Sequence, residues 1–202
     1  YLFISLDAIT SDVNKIIELY NPIRVVSIVR LKDIYEFNNF CINNLLFLID
    51  PKHERLLIQQ FDGFLIKNGW EEKCYNYSWL GAAWKDEIKV IENIFNYPPV
   101  IGFNGGFGFR RKSKCLKVLE LVQKYGGQQK IVKGLQIYEN PPKIQNGSFL
   151  AEDLFFCYFG FGYGLFEPVM REYANSFAKE PITWTEYNQN VKPSYGFHRI
   201  DN

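Results

Sequence analysis

The chain has 202 residues, 47% hydrophobic and 22% charged, which suits one compact domain with an ordinary core and leaves two full domains cramped. Its 23 Lys and Arg against 22 Asp and Glu give a net charge of +1, so bulk electrostatics supply no pull toward nucleic acid or an anionic membrane. Cys41, Cys74, Cys115 and Cys157 are far apart with no C-x-x-C pair, which argues against a zinc site or a dense disulfide framework and for a reducing compartment.

In chain order, Tyr1 to Ile9 (YLFISLDAI) reads as a buried first strand with Asp7 near its end. A chain that opens inside a strand-like run, with no Met and no signal-peptide pattern, is expected to be trimmed from something longer. Ser11-Asp12 offers a helix cap, and Val13, Ile16, Ile17, Leu19 and Tyr20 form an apolar stripe that stops before Pro22. Arg24 to Leu31 is a second strand rich in β-branched residues, and Ile34 to Ile49 is an amphipathic segment ended by Asp50-Pro51.

Arg55 to Ile66 (RLLIQQFDGFLI) reads as the organising strand. Leu56, Leu57 and Ile58 are apolar on both faces, as in a strand buried between layers. Strand, helix, strand, helix, strand in this order predicts an α/β sheet with right-handed crossovers. Asp62-Gly63 then delivers a carboxylate where such a strand emerges, the end at which ligands collect in open α/β sheets. The same dipeptide also starts hairpins, and this stretch alone does not decide between the two.

Trp70 to Trp84 (WEEKCYNYSWLGAAW) is too broken for one regular element and reads as a loop or short strand flanking a cleft, or as a surface segment pinned by aromatics. Lys85 to Asn96 is expected to form a short helix. Val100 to Arg111 (VIGFNGGFGFRR) reads as a glycine loop around Asn104, Gly105 and Gly106, with a short strand over Phe107 to Phe109. It matches neither nucleotide-binding fingerprint. Ser113 to Tyr125 is predicted as a helix, and Gly126 to Gly147 as a polar, flexible connection.

Phe149 to Phe156 (FLAEDLFF) sets Glu152 and Asp153 among apolar residues, where acids must pair, bind metal or do chemistry, or else open a helix whose dipole favours them. Tyr158 to Phe166 reads as a loop or irregular edge, and Val169 to Phe177 as a helix. The tail carries SYGFH, ending at His198, a residue type able to join an acid in holding one metal ion. The chain has an unusual aromatic share, 17%, and Trp79 and Trp84 offer flat faces either for a sugar ring or for cleft-wall packing.

An acid closing a strand, a glycine loop, an acid pair and a terminal histidine, in that order, resemble the GT-A-fold nucleotide-sugar glycosyltransferases. More closely, IQQFDGFLI, YSWLGAAW, GFNGGFGFRR, AEDLFF, SFAKE and YGFH resemble the successive blocks of a family of uncharacterised glycosyltransferase-like domains found with bacterial polysaccharide genes. The likeness covers the chain from about Arg55 onward and more loosely the first strands.

It implies a single α/β domain over residues 1–202 with a GT-A-like central mixed sheet flanked by helices. It also implies an inverting transfer of a sugar from a nucleotide-sugar donor to a glycan or glycolipid hydroxyl. Gln60-Phe61-Asp62 falls at the family's Asp-x-Asp metal motif, with Gln60 replacing the first acid and leaving one carboxylate for the cation. The resemblance makes Asp153 the catalytic base and Glu152 an acceptor-orienting acid. Asp62 and His198 become ligands of Mn or Mg, Asp7 a contact to the base or ribose, and Gly102 to Gly106 a lining of the donor or acceptor side of the cleft, with Gln60, Asp62, Asn104, Gly105 and Gly106 expected on the donor. A cytoplasmic location is expected, with any attachment to the inner membrane surface supplied by missing regions or partners. Two alternatives stay open: a carbohydrate-binding or scaffold domain that has lost turnover, and a nucleotidyltransferase.

Overall fold

The computed structural model describes residues 1–5, 11–22, 24–60, 63–65, 68–88, 100–124, 151–179, 182–183, 194–198 and 200–201, some of them by backbone alone. Asp7, Asp62 and the connection expected over 126–147 lie outside these residues. The chain is mixed α/β and divides into two compact units, Tyr1–Asp50 and Pro51–Asn202.

In the first unit, β1 (Leu2–Ser5) and β2 (Val25–Ile28) pair in parallel with Leu2 opposite Val25, as the strand–helix–strand pattern predicts. The helix between them, α1 (Ser11–Tyr20), ends at Asn21. That residue takes a left-handed φ of 42° while its N–H donates to Ile17 O, closing the helix just before Pro22. α2 (Ile34–Asn43) starts at Asp33, whose Oδ1 accepts from the N–H groups of Tyr35 and Glu36 at 2.9 Å each. With α3 (Leu45–Leu48) it buries Cys41, Ile42, Leu45 and Leu46, and Phe3 meets Phe40 edge-on.

The second unit is built around a different strand from the one the sequence points to. β3 (Arg55–Gln59) is an edge, and β6 (Val100–Arg111) is the centre of an antiparallel sheet ordered β3-β6-β5, with β5 spanning Trp79–Ile88. Only Leu56 of the three apolar residues in β3 is fully buried. The expected glycine loop is therefore strand throughout, with Gly102, Gly105, Gly106 and Gly108 buried in its length. The strands beside it carry glycine where its backbone approaches closely: a Cβ on Gly63 would lie 2.6 Å from Gly106 O, and one on Gly81 2.7 Å from Asn104 O.

The tryptophan-rich stretch resolves into α4 (Trp70–Cys74) followed by β5, and residues 85–88 extend that strand instead of opening a helix. β5 holds register with β6 through irregularities between Gly81 and Ala83 and between Ala83 and Glu87.

β6 runs directly into α5 (Lys112–Lys124), whose start is held by Glu54 accepting from the N–H and hydroxyl of Ser113. The segment read as an irregular aromatic edge belongs to α6 (Glu152–Gly162), which packs along β6 and buries Phe155, Phe156, Cys157, Tyr158, Phe159 and Phe161. A helix buried on every side shows no polar stripe, which is why its period is invisible in the sequence. α7 (Arg171–Phe177) packs on β5.

A second small sheet joins β4 (Gly63–Leu65) antiparallel to β9 (Gly196–His198), which runs parallel to β7 (Ala178–Lys179). β8 (Ile182–Thr183) and β10 (Ile200–Asp201) pair in parallel. All four cysteines are buried and none forms a disulfide. Among the described residues no helix is long and apolar enough to cross a membrane.

Candidate functional site

The acid pair sits in the first turn of α6, and its two members face different surroundings. Glu152 is 3% exposed and points inward, its Oε1 accepting from Arg110 Nη2 at 2.7 Å. Arg110 comes from β6, is itself 1% exposed, and stacks its guanidinium over the Trp79 ring at 4.1 Å. A carboxylate removed from water needs such a partner, and the cation stacked on an aromatic face is the arrangement arginine suits best. Glu152 is thus turned into the interior, where it cannot orient an acceptor as the resemblance implies.

Asp153 is half-buried and sits against β6 at Gly105. Its Oδ2 accepts from Gly105 N–H at 3.2 Å and its Oδ1 from Leu154 N–H at 2.7 Å. Burial pushes the carboxyl up to about 6, helped by the negative charge of Glu152; the two backbone N–H groups and Arg110 pull the other way without overcoming it. The helix start can come this close because residue 105 has no side chain: a Cβ there would run into Glu152 Oε1 and Arg110 Nη2.

The neighbouring backbone is equally well tied. Asn104 Oδ1 accepts from Gly106 N–H at 2.7 Å, and Gln60 N–H donates to Gly106 O at 2.7 Å. Gly63 N–H donates to Gln60 O at 3.1 Å, which sets the start of β4 beside the end of β3 and the glycine pair. The register of β4 with β9 sets Gly63 opposite His198.

Six of the residues singled out in the sequence, Gln60, Asn104, Gly105, Gly106, Glu152 and Asp153, therefore form one neighbourhood, and the strand holding His198 pairs at its border. Asp62 immediately precedes Gly63 in sequence but lies outside the described residues, as does Asp7, and the His198 side chain is likewise undescribed. Among the described residues no group of three or more His, Cys, Asp and Glu is placed to hold a metal ion.

Trp79 belongs to the core. It is 1% exposed, covered by Arg110, Phe156 and Phe166, and presents no face to a sugar. Trp84 is half-buried, and its carbonyl accepts from Arg171 Nη1.

A family model for a protein of unknown function, DUF5672, matches residues 22–198. The chain belongs to the DUF5672 family. No curated protein and no solved structure matches it. The DUF5672 match takes in the whole Gln60, Gly105 and Asp153 neighbourhood and Arg110 with it.

Arg110 is the member that reading the sequence missed. The available signal was the unexplained charge: an acid pair led into an aromatic run, which demands a cation, and GFNGGFGFRR offers one at the end of the adjacent motif.

Proposed function

We propose that this DUF5672 chain is an inverting glycosyltransferase that moves a sugar from a nucleotide-sugar donor to a hydroxyl of a glycan or glycolipid, in the building of a surface polysaccharide. The observation that carries the reading is Asp153. It is a half-buried carboxylate, fixed by the N–H of Gly105 at a helix start, with its proton affinity raised to about 6. A general base is most useful when its pKa lies near the working pH, which ordinary aspartates miss and this one approaches.

In this reading Asp153 takes the proton of the acceptor hydroxyl as its oxygen forms a bond to the anomeric carbon. The bond from that carbon to the donor's diphosphate oxygen breaks, and its electron pair leaves with the nucleoside diphosphate. Glu152 acts through Asp153: held by Arg110, it anchors the first turn of α6 and keeps a negative charge beside the base. Gly105 and Gly106 are buried and act on the donor side only by position, Gly105 N–H holding Asp153 and Gly106 O holding the end of β3.

A divalent ion, Mn or Mg, would neutralise the departing diphosphate, with Asp62 and His198 as its holders. Support for that pairing is the β4–β9 register, which sets Gly63, the residue after Asp62, opposite His198. Trp84 is kept as a sugar contact.

The test is a thermal-shift screen of nucleoside diphosphates and their sugar conjugates with and without Mn, followed by product analysis with the donor that raises the midpoint. Release of nucleoside diphosphate is expected. Pyrophosphate in its place would make the chain a nucleotidyltransferase, and donor binding without turnover would make it a binding or scaffold domain.

A further inference from the structure

At the other end of the β3–β6 pair from Gln60 and Gly106, Arg55 and Arg111 stand directly opposite each other in the antiparallel register. Like charges so placed repel, and long side chains normally splay apart to relieve it. Here both are tied to one residue instead. The Arg55 guanidinium lies over the Tyr75 ring at 4.5 Å, while Arg111 Nη2 donates to Tyr75 O at 2.6 Å.

Among the described residues neither guanidinium forms an ion pair. The two line an open pocket of about 480 Å³ together with Glu54, Tyr75 and Asn76. The acid of that lining, Glu54, has both carboxylate oxygens engaged by Ser113 at the start of α5, and two arginines against one glutamate leave the pocket net positive.

We propose that this pocket binds an oxyanion, a carboxylate or phosphate group carried on a saccharide. Two guanidinium forks held in place match the paired oxygens of such a group, Asn76 adds an amide donor, and the 60% exposed Tyr75 ring supplies an apolar surface for the sugar beside it. Counting strand residues from Arg55 to Gln60, the pocket lies roughly 17 Å from the glycine pair, too far to touch the same sugar unit. It recognises a remote part of a ligand. The proposal rests on this pocket alone and holds whether or not Asp153 is a base.

The test is titration of the full chain, followed by NMR or calorimetry at constant ionic strength, with inorganic phosphate, glucuronate and, as the neutral control, glucose. Phosphate, glucuronate or both are expected to bind, and glucose is not. Binding of phosphate alone assigns a phosphorylated ligand, and binding of glucuronate alone assigns an acidic sugar. Arg111→Gln and Arg55→Gln should each weaken the anion about tenfold. Lys117→Gln, on the exposed side of α5, should change nothing. Arg55 is solvent-exposed on an edge strand, so its variant keeps the test usable if Arg111→Gln fails to fold. Absence of binding by both anions, or equal affinity in wild type and folded arginine variants, would overturn the proposal.

Discussion

Arg110 and Glu152 form an ion pair at 2.7 Å with side chains 1% and 4% exposed, joining the central strand of the second unit to the first turn of its buried helix. Breaking one side of such a pair leaves a charge stranded in a low-dielectric interior. Arg110→Met or Glu152→Leu alone should therefore cost about 3–5 kcal/mol. The double variant should recover much of that loss. Urea unfolding of the three variants checks it; additive losses would mean that the two residues act separately.

Gly105→Ala tests the close approach of helix to strand. The added methyl meets Glu152 Oε1 and Arg110 Nη2, and the turn must shift, at a cost of about 1–3 kcal/mol of overpacking. The shift also lengthens the bond from residue 105 to Asp153, so the Asp153 carboxyl resonance should titrate differently by NMR. An alanine variant as stable as wild type would show that the contact is slack.

The raised Asp153 carboxyl gives stability a definite slope with pH. Its folded-state pKa, about 6, lies above the ordinary value of 3.8, so between these limits the folded state holds more proton than the unfolded one. The contribution of this residue to stability is full below about 3.8, declines as pH rises toward 6, and is level above that. Asp153→Asn should remove that part of the slope. Denaturation midpoints of both proteins across pH 4–7 measure it, and parallel curves would contradict the assigned shift.

Trp79→Ala should act as a core deletion. With the ring stacked on Phe156 and Phe166 beneath Arg110, losing it should cost about 3–5 kcal/mol. Trp79→Phe, which keeps an aromatic in place, should leave affinity for any sugar ligand unchanged. A selective fall in that affinity in the folded Phe variant would return Trp79 to the binding surface.

For the cation, Asp62→Ala and His198→Ala should each abolish any enhancement of nucleotide-sugar binding by Mn while leaving chelator-treated affinity as it is in wild type. Calorimetry with and without chelator reads this. Undiminished enhancement in both variants would remove these residues from the metal proposal.

The first unit was legible because its cues are local: an apolar run for β1, a β-branched run for β2, a stripe ending before Pro22 for α1, and Asp50-Pro51 closing the helical segment. The second unit hides its organisation in burial. β6 is covered by α6 and flanked by β3 and β5, so glycines that would loosen an exposed strand serve close contacts there, and NGG read as a loop. α6 lost its helical signature for the same reason, and Gly160 sits in it where Phe166 leaves no room for a Cβ. The site was legible as residue types, since Asp153 and the Asn104 to Gly106 segment stood out. The Arg110–Glu152 pairing was not, because 42 residues separate the partners and only packing brings them together.

The central claim is that Asp153 is the base of a sugar transfer, and the most direct measurement is transfer from the donor identified by thermal shift, compared in wild type and Asp153→Asn across pH 5–8. The account predicts a wild-type rate that climbs with pH through about 6 as the carboxylate forms. It also predicts a loss of about 10²–10⁴-fold in the variant with donor binding retained. Transfer at a wild-type rate by a folded Asp153→Asn protein would contradict it.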